Sequence, residues 1–317
     1  MKAKFKDSDL DNLAPLRDCD VLTLNSLPVA DDGLRFLEAW KSLESFTLTG
    51  ADVTDKLATR LARFPTLKTL NLSGCTSITG ELFHQIKNGL PKLETLNLSA
   101  CSFNDDGLPP LAPLRNLSSL TLSKTEITDK GIPQLATMHS LRSLYLNDTA
   151  ITTKGLAGLA PLRGLETLGF LSTDSPDFAE TAQQIAKLFP RIEGLRISGK
   201  EFTAAHIEAL QIFKGLKSLD LGSMEIKPEA AAAIGKFHRL EKFSTESPEF
   251  SDENLSALLG LHDLQSLNIS HSKVTDTVFA KLKNLKKLKA VHAIDTPVTE
   301  DAADTLKKAF KTLNVEV

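Results

Sequence analysis

The sequence predicts an α/β stack of one repeating unit, a short strand followed by a short helix, running the length of the chain. Three observations predict it. Leu accounts for 54 of the 317 residues while Trp and Tyr occur once each, an excess that signals internal repetition. Written from Leu117 the chain reads LSSLTLSKTEITDKGIPQLATMHS, and from Leu141 it reads LRSLYLNDTAITTKGLAGLAPLRG, the same unit 24 residues later. Within each unit the apolar period changes from two to three and four, the change from strand to helix.

The units follow one another with little variation. Their first apolar positions fall at Cys19, Leu43, Leu67, Leu93, Leu117, Leu141, Leu165, Ile192, Leu216, Leu240, Leu264 and Leu288, with a partial unit from Phe310. Nine of the twelve intervals are 24 residues, and the others are 26, 27 and 22. Each opening L-x-x-L-x-L, such as Leu93, Leu96 and Leu98 or Leu216, Leu219 and Leu221, alternates apolar and polar as a half-buried strand does. Each second half, such as Ile127 to Leu135, spaces its apolar residues three and four apart behind a Thr-Asp start, a capped helical stretch. Thr54, Thr128, Thr152 and Thr275 share that cap slot, and Gly33, Gly107, Gly131 and Gly155 recur where the helix begins and a side chain would crowd the next unit. A unit this small cannot bury both its faces alone, so neighbours must stack and share one core.

These residues closely resemble the leucine-rich repeat family, whose strand pattern L-x-x-L-x-L-x-x-(N/C/T)-x-(I/L) is matched in almost every unit over about residues 5–317. Within the family the chain looks most like the cysteine-containing class and the bacterial proteins with ITDxGL-type repeats. Cys75 and Cys101 stand at the ninth position, which Thr125, Thr149, Thr173, Ser272 and Thr296 fill elsewhere. The resemblance implies a curved right-handed horseshoe solenoid, with parallel strands on its concave face and helices on its convex face. It also implies a single domain over 1–317: a half-repeat cap over 1–18, twelve repeats over 19–309 and a terminal strand over 310–317. At a strand spacing of about 4.8 Å the inner surface would be on the order of 60 Å long.

Composition excludes several roles. No stretch approaches the run of about 18–20 apolar residues that spans a bilayer. The balance of 37 basic and 40 acidic residues argues against a nucleic-acid backbone as the partner. Three cysteines do not make a disulfide scaffold, and Cys75 with Cys101 reads as a pair of stacked buried thiols. A reducing compartment such as the cytoplasm fits that usage, although a trimmed secreted chain fits as well. Phe5 to Leu16 aligns with Ile127 to Met138, so the chain opens halfway through a unit, either on its own cap or after a removed upstream segment. Leu313, Val315 and Val317 make the last strand, with Lys307, Lys308 and Lys311 keeping its edge soluble. A monomer is expected.

Catalytic signatures are missing: there is no G-x-S-x-G, P-loop, H-E-x-x-H, C-x-x-C or G-x-G-x-x-G in the chain. Repeat register makes His271 and Asp295 equivalent and places His292 on a strand between Asn268 and Asn314. Solvated polar residues remain the preferred reading there, and no enzyme activity, metal or cofactor is expected. The outward strand positions are mostly Thr, Ser and Asn, a bland strand-compatible floor. Its exceptions are the candidate partner-binding residues. Tyr145 lies between Thr121 and Gly169, so its ring would stand over a vacant neighbour, and Leu171 would add exposed apolar area. Arg196 and Asp220 are lateral neighbours, while Lys242, Glu246, His271 and His292 extend a charged strip. Aromatic and Arg side chains carry most binding energy at interfaces. The function that follows is non-catalytic protein binding through the concave face. The alternatives are a structural spacer in a bacterial envelope-associated protein and a substrate-recognition fragment of a larger ligase or effector.

Three further features are read as structural. Trp40 shares the inward slot of Leu114, Met138 and Leu162. Lys281, Lys283, Lys286, Lys287 and Lys289 alternate with leucines as the solvated face of a buried stretch, with an anionic partner as the other reading. The longer unit at Leu165 contains Ser172 to Phe178, and a related stretch runs from Thr245 to Phe250. Both suggest a reshaped turn, either a solvent loop or a loop that contacts a partner.

Overall fold

The L-x-x-L-x-L segments form strands, because alternate apolar side chains are buried on one face while the polar ones between them stay at the surface. A computed structural model describes residues 6–86 and 89–317, so Phe5 lies outside the described residues. The chain groups into two compact units, 1–165 and 166–317. In the first unit the strands are β1 (Val21–Asn25), β2 (Ser45–Thr49), β3 (Thr69–Asn71), β4 (Thr95–Asn97), β5 (Ser119–Thr121) and β6 (Ser143–Tyr145). Each pairs in parallel with the next, in register with the repeat: Thr23 with Thr47, Thr47 with Asn71, Asn97 with Thr121, and Thr121 with Tyr145.

The second unit begins with β7 (Thr167–Ser172), β8 (Gly194–Ser198), β9 (Glu201–Phe202), β10 (Ser218–Asp220) and β11 (Glu225–Ile226). It continues with β12 (Lys242–Ser244), β13 (Ser266–Asn268), β14 (Ala290–His292) and β15 (Asn314–Glu316). The strands β7, β8, β10, β12, β13, β14 and β15 pair in that order, all parallel. β9 and β11 form a separate short parallel pair just beyond the main strands. Among the described residues that makes six repeat strands in the first unit and seven in the second.

The helical halves are shorter and tighter than the sequence pattern suggests. Several are single 3₁₀ turns, such as Asp105–Gly107 and Asp129–Gly131, or one-turn α-helices such as Ile132–Leu135. A 24-residue repeat leaves few residues for the return path, and Pro109, Pro110 and Pro133 remove backbone donors. The helix over Phe178–Leu188 is longer, and it belongs to the 27-residue unit.

Thr54, Thr128, Thr152 and Thr275 cap their helices as expected, each side chain accepting a backbone N–H from the first turn. Their larger contribution joins one unit to the next. In six units among the described residues the Asp at the first helical position accepts two hydrogen bonds from the cap Thr of the following unit, one from its backbone N–H and one from its hydroxyl. The pairs are Asp31 with Thr54, Asp55 with Thr79, Asp105 with Thr128, and Asp129 with Thr152 in the first unit. Asp252 with Thr275 and Asp276 with Thr299 repeat the arrangement in the second. In the middle of the second unit other groups bridge the units, such as the Asn254 amide donating to Ile226 O at 3.0 Å. The glycines serve the same junction. A Cβ on Gly131 would lie 2.5 Å from Asp105 Oδ1, and one on Gly155 would strike Asp129. The side chain that Gly33, Gly131 and Gly155 avoid therefore belongs to the preceding unit, not the next one, while Gly107 avoids Phe103 of its own unit and the backbone of Gly80.

Core expectations for Trp40 and the cysteines hold. Trp40 is buried against Phe36, and its indole N–H donates to Leu13 O at 3.0 Å. Cys75 and Cys101 are free, buried thiols whose Sγ–H groups donate to Leu48 O (3.4 Å) and Leu72 O (3.1 Å). Burial raises both thiol pKa values, that of Cys101 to about 12.

Two expectations need correction. Gly169 pairs with Arg196 and Ser172 with Ser198, so two β7 residues, Phe170 and Leu171, oppose Ile197 alone. This is a β-bulge, which inserts one residue and exchanges the faces beyond it. Leu171 therefore enters the inward row and is 2% exposed, not exposed apolar area, while Phe170 is left half-buried. At the other end Asn314 pairs with Ala290, and Glu316 is the residue beside His292. The last interval is thus 24 residues, with Thr312 in the first slot in place of Phe310. The bonds from Asn314 N–H to Lys289 O and from Ala293 N–H to Glu316 O hold that register.

Candidate binding surface

The outward faces of the two strand stacks differ. In the first unit the floor is Thr, Ser and Asn over β2 to β5, and Tyr145 at the end of β6 is half-buried beside Thr121. Val21 on the edge strand is 65% exposed. In the second unit the floor is charged. Arg196 on β8 and Asp220 on β10 are register partners, and Arg196 Nε lies 3.6 Å from Asp220 Oδ2. Asp220 is also tied to its own turn, accepting the Gly222 N–H at 3.0 Å. Arg196 and Asp220 are both substantially solvent-exposed, so the ion pair contributes at most about 1 kcal/mol to stability. Gly194 leaves room for Thr167 on the neighbouring strand, since a Cβ there would lie 2.7 Å from Thr167 Oγ1.

Lys242 opens β12 and is exposed between Ser218 and Ser266. Glu246 and His271 do not continue that floor. They lie past the ends of β12 and β13, where the chain leaves the sheet. His271 there has φ +61° and Asp295, one repeat on, has φ +54°. Glycine takes this left-handed conformation in other repeats, as at Gly50, Gly74 and Gly222. The His271 and Asp295 side chains meet at 3.3 Å.

His292 is not part of that pair. Its Nδ1 lies 2.8 Å from Glu316 Oε2, and this hydrogen bond lowers the Glu316 pKa below the usual carboxylate value. The terminal register puts Glu316 in place of Asn314 beside His292, and no metal-holding group of His, Cys, Asp and Glu occurs among the described residues. Phe170 is the surface aromatic that sequence reasoning missed. Its only signal was two consecutive apolar residues where the repeat has one slot.

A family model described as leucine-rich repeat matches residues 65–81, 89–112 and 137–160. Together with the parallel strand-and-helix repeat, this match decides the fold. The chain has the leucine-rich repeat fold. Among solved structures, this leucine-rich repeat chain is similar to one from the Rad7–Elc1 complex of yeast, at 19% identity and a TM-score of 0.53, covering 94% of this chain and 86% of that one. It is also similar to an internalin, InlF, of Listeria monocytogenes, at 17% identity and a TM-score of 0.43 over 98% and 88% of the two chains. A leucine-rich repeat protein of Leptospira interrogans matches at 15% identity and a TM-score of 0.37 over 99% of both chains. No curated protein matches the sequence at a significant level. No helix among the described residues is long and apolar enough to cross a membrane.

Proposed function

We propose that this leucine-rich repeat protein is a non-catalytic scaffold that binds a protein partner through the outward face of its strands, with residues 1–317 serving as one binding domain. Leucine-rich repeat proteins typically act as protein–protein interaction scaffolds. The single observation that carries the reading is the contrast between floors: small polar residues over β2 to β5, and Arg196, Asp220 and Lys242 on β8, β10 and β12. A sheet surface kept only for solubility has no need of such clustering. Phe170, half-buried on β7, supplies an aromatic contact in the same stack, and aromatic and Arg residues dominate interface energetics. The uniform floor of the first unit suits a spacer role for that part, with Tyr145 as its one large outward residue.

The test is affinity capture with the intact protein beside two variants, Arg196→Ala/Lys242→Ala and Tyr145→Ala. The proposal expects the first variant to lose partners that the wild type retains. Identical partner sets for all three proteins would overturn it.

A further inference from the structure

We propose a second surface, on the edge of the second unit where the chain enters its strands, that docks an acidic protein segment bearing aromatic or aliphatic side chains. In a parallel sheet every entering segment lies on one edge and every leaving segment on the other. In the second unit the entering segments are 185–193, 211–217, 235–241, 259–265, 281–289 and 307–313, and they carry fourteen Lys and Arg against three Asp and Glu. The leaving segments 172–180, 198–205, 222–229, 246–253, 270–277 and 294–301 carry the reverse, three Lys and fourteen Asp and Glu. Helix macrodipoles favour acids at helix starts and bases at helix ends, which accounts for the sign of this separation. They do not account for Lys214, Lys286, Lys289 and Lys311, which lie in loops beyond the last helical residue.

The three acidic groups of the basic edge are already engaged. Glu193 pairs with Lys217 at 2.8 Å and Asp263 with Lys287 at 2.7 Å, while Glu241 accepts the Gln265 amide at 2.9 Å. Lys286 and Lys289 reach neutral oxygens, Lys283 O and Gln265 Oε1. The surplus cations surround two grooves. One, of about 450 Å³, lies between the loops entering β10 and β12, with Phe213 and Phe237 in its lining and Lys214, Lys236 and Arg239 around it. The other, of about 490 Å³, lies between the loops entering β14 and β15, with Leu288 and Phe310 among Lys286, Lys287, Lys289 and Lys311. Phe237 and Phe310 are half-buried and the cations other than Lys217 and Lys307 are exposed. At about 4.8 Å per strand the groove centres are three strands, roughly 15 Å, apart. An extended segment spans that distance in about five residues.

This chemistry selects carboxylates for the rim and an apolar side chain for each groove, with the two apolar residues about five positions apart. A phosphate backbone would use the cations and leave the phenylalanines idle. Because the grooves lie on the sheet edge, away from Arg196, the inference stands independently of the strand-face reading.

The probe is a fluorescein-labelled peptide of about ten Asp and Glu residues with Phe at two positions about five apart, titrated with the full chain and followed by anisotropy. Binding is expected in the micromolar range at low salt, weakening as salt is raised. The Lys286→Gln/Lys289→Gln/Lys311→Gln variant, with an unchanged circular dichroism spectrum, should bind about tenfold or more weakly. Lys200→Gln/Lys273→Gln on the opposite edge and Arg196→Ala on the floor should bind as the wild type does. A peptide with both Phe replaced by Gly should also bind about tenfold or more weakly. No saturation, equal binding of the Gly peptide, equal binding by the triple variant, or tighter binding to an oligonucleotide or to anionic vesicles would each overturn the proposal.

Discussion

Replacing Asp252 with Ala should destabilise the second unit far more than a half-exposed acidic residue ordinarily would. Asp252 Oδ1 accepts the Thr275 backbone N–H at 2.8 Å, and Oδ2 accepts the Thr275 hydroxyl at 2.6 Å, across a junction between units 23 residues apart in sequence. Hydrogen bonds to a charged group contribute about 1.5–3 kcal/mol each, and the half-buried site lowers that figure. Removing both acceptors also leaves the Thr275 N–H without a partner at the start of the helix over Asp276–Phe279. The expected loss is about 2–4 kcal/mol. Asp252→Asn keeps one acceptor and should cost roughly half as much.

The assay is equilibrium urea unfolding followed by circular dichroism, extended to a double-mutant cycle with Thr275→Val, which keeps the shape of Thr and removes the hydroxyl. A coupling energy of about 1–2 kcal/mol is expected. Exposed Asp304, which pairs with Lys307 on its own helix, is the control, and Asp304→Ala should change stability by less than about 0.5 kcal/mol. If Asp252→Ala matched the control, or the coupling fell below about 0.3 kcal/mol, the junction would not hold the repeats together as argued.

Other outcomes follow from the same contacts. Gly131→Ala should cost about 2 kcal/mol in thermal or urea unfolding, because its Cβ would displace Asp105. Gly215→Ala, with nothing within 4 Å of the added Cβ, should be nearly neutral. In a thiol titration with an aromatic disulfide, half-buried Cys19 should react first, and Cys75 and Cys101 should react only on unfolding, because burial disfavours both thiolates. His206 accepts the Thr203 N–H on Nδ1 and packs against Phe178 and Phe202, and its burial lowers its pKa. The unfolded chain therefore binds this proton more readily than the folded one does. Stability should fall as pH drops below about 6.5 and level off once the lowered folded value is passed. His206→Asn, measured by unfolding at several pH values, should remove that dependence, and an unchanged slope would contradict it.

The strand face and the basic edge make different demands on a partner. A mutation at Arg196 changes a paired, polar floor, whereas one at Lys286 or Lys311 changes a field made by many residues. Losses on the strand face should therefore be confined to a few residues, and those on the edge should be graded and sensitive to salt.

The sequence by itself determined the repeat, its strands, the inward leucine rows, the Thr caps and the burial of Trp40, because each follows from a local period that repeats about every 24 residues. It also identified Arg196 and Asp220 as lateral neighbours, since equal spacing becomes side-by-side placement in a parallel stack. Only the tertiary structure decided that Leu171 turns inward and Phe170 does not, for two consecutive apolar residues satisfy the period equally well until pairing with Ile197 selects one. Pairing likewise set the register of β15 and gave His292 the partner Glu316 in place of Asn314. The Asp that reads in sequence as a first-turn helix acid proved to bind the next unit, a contact that appears only when the units are stacked. Charge in the second unit followed the same rule: it separates into a basic and an acidic edge once parallel strands send every loop of one kind to one side.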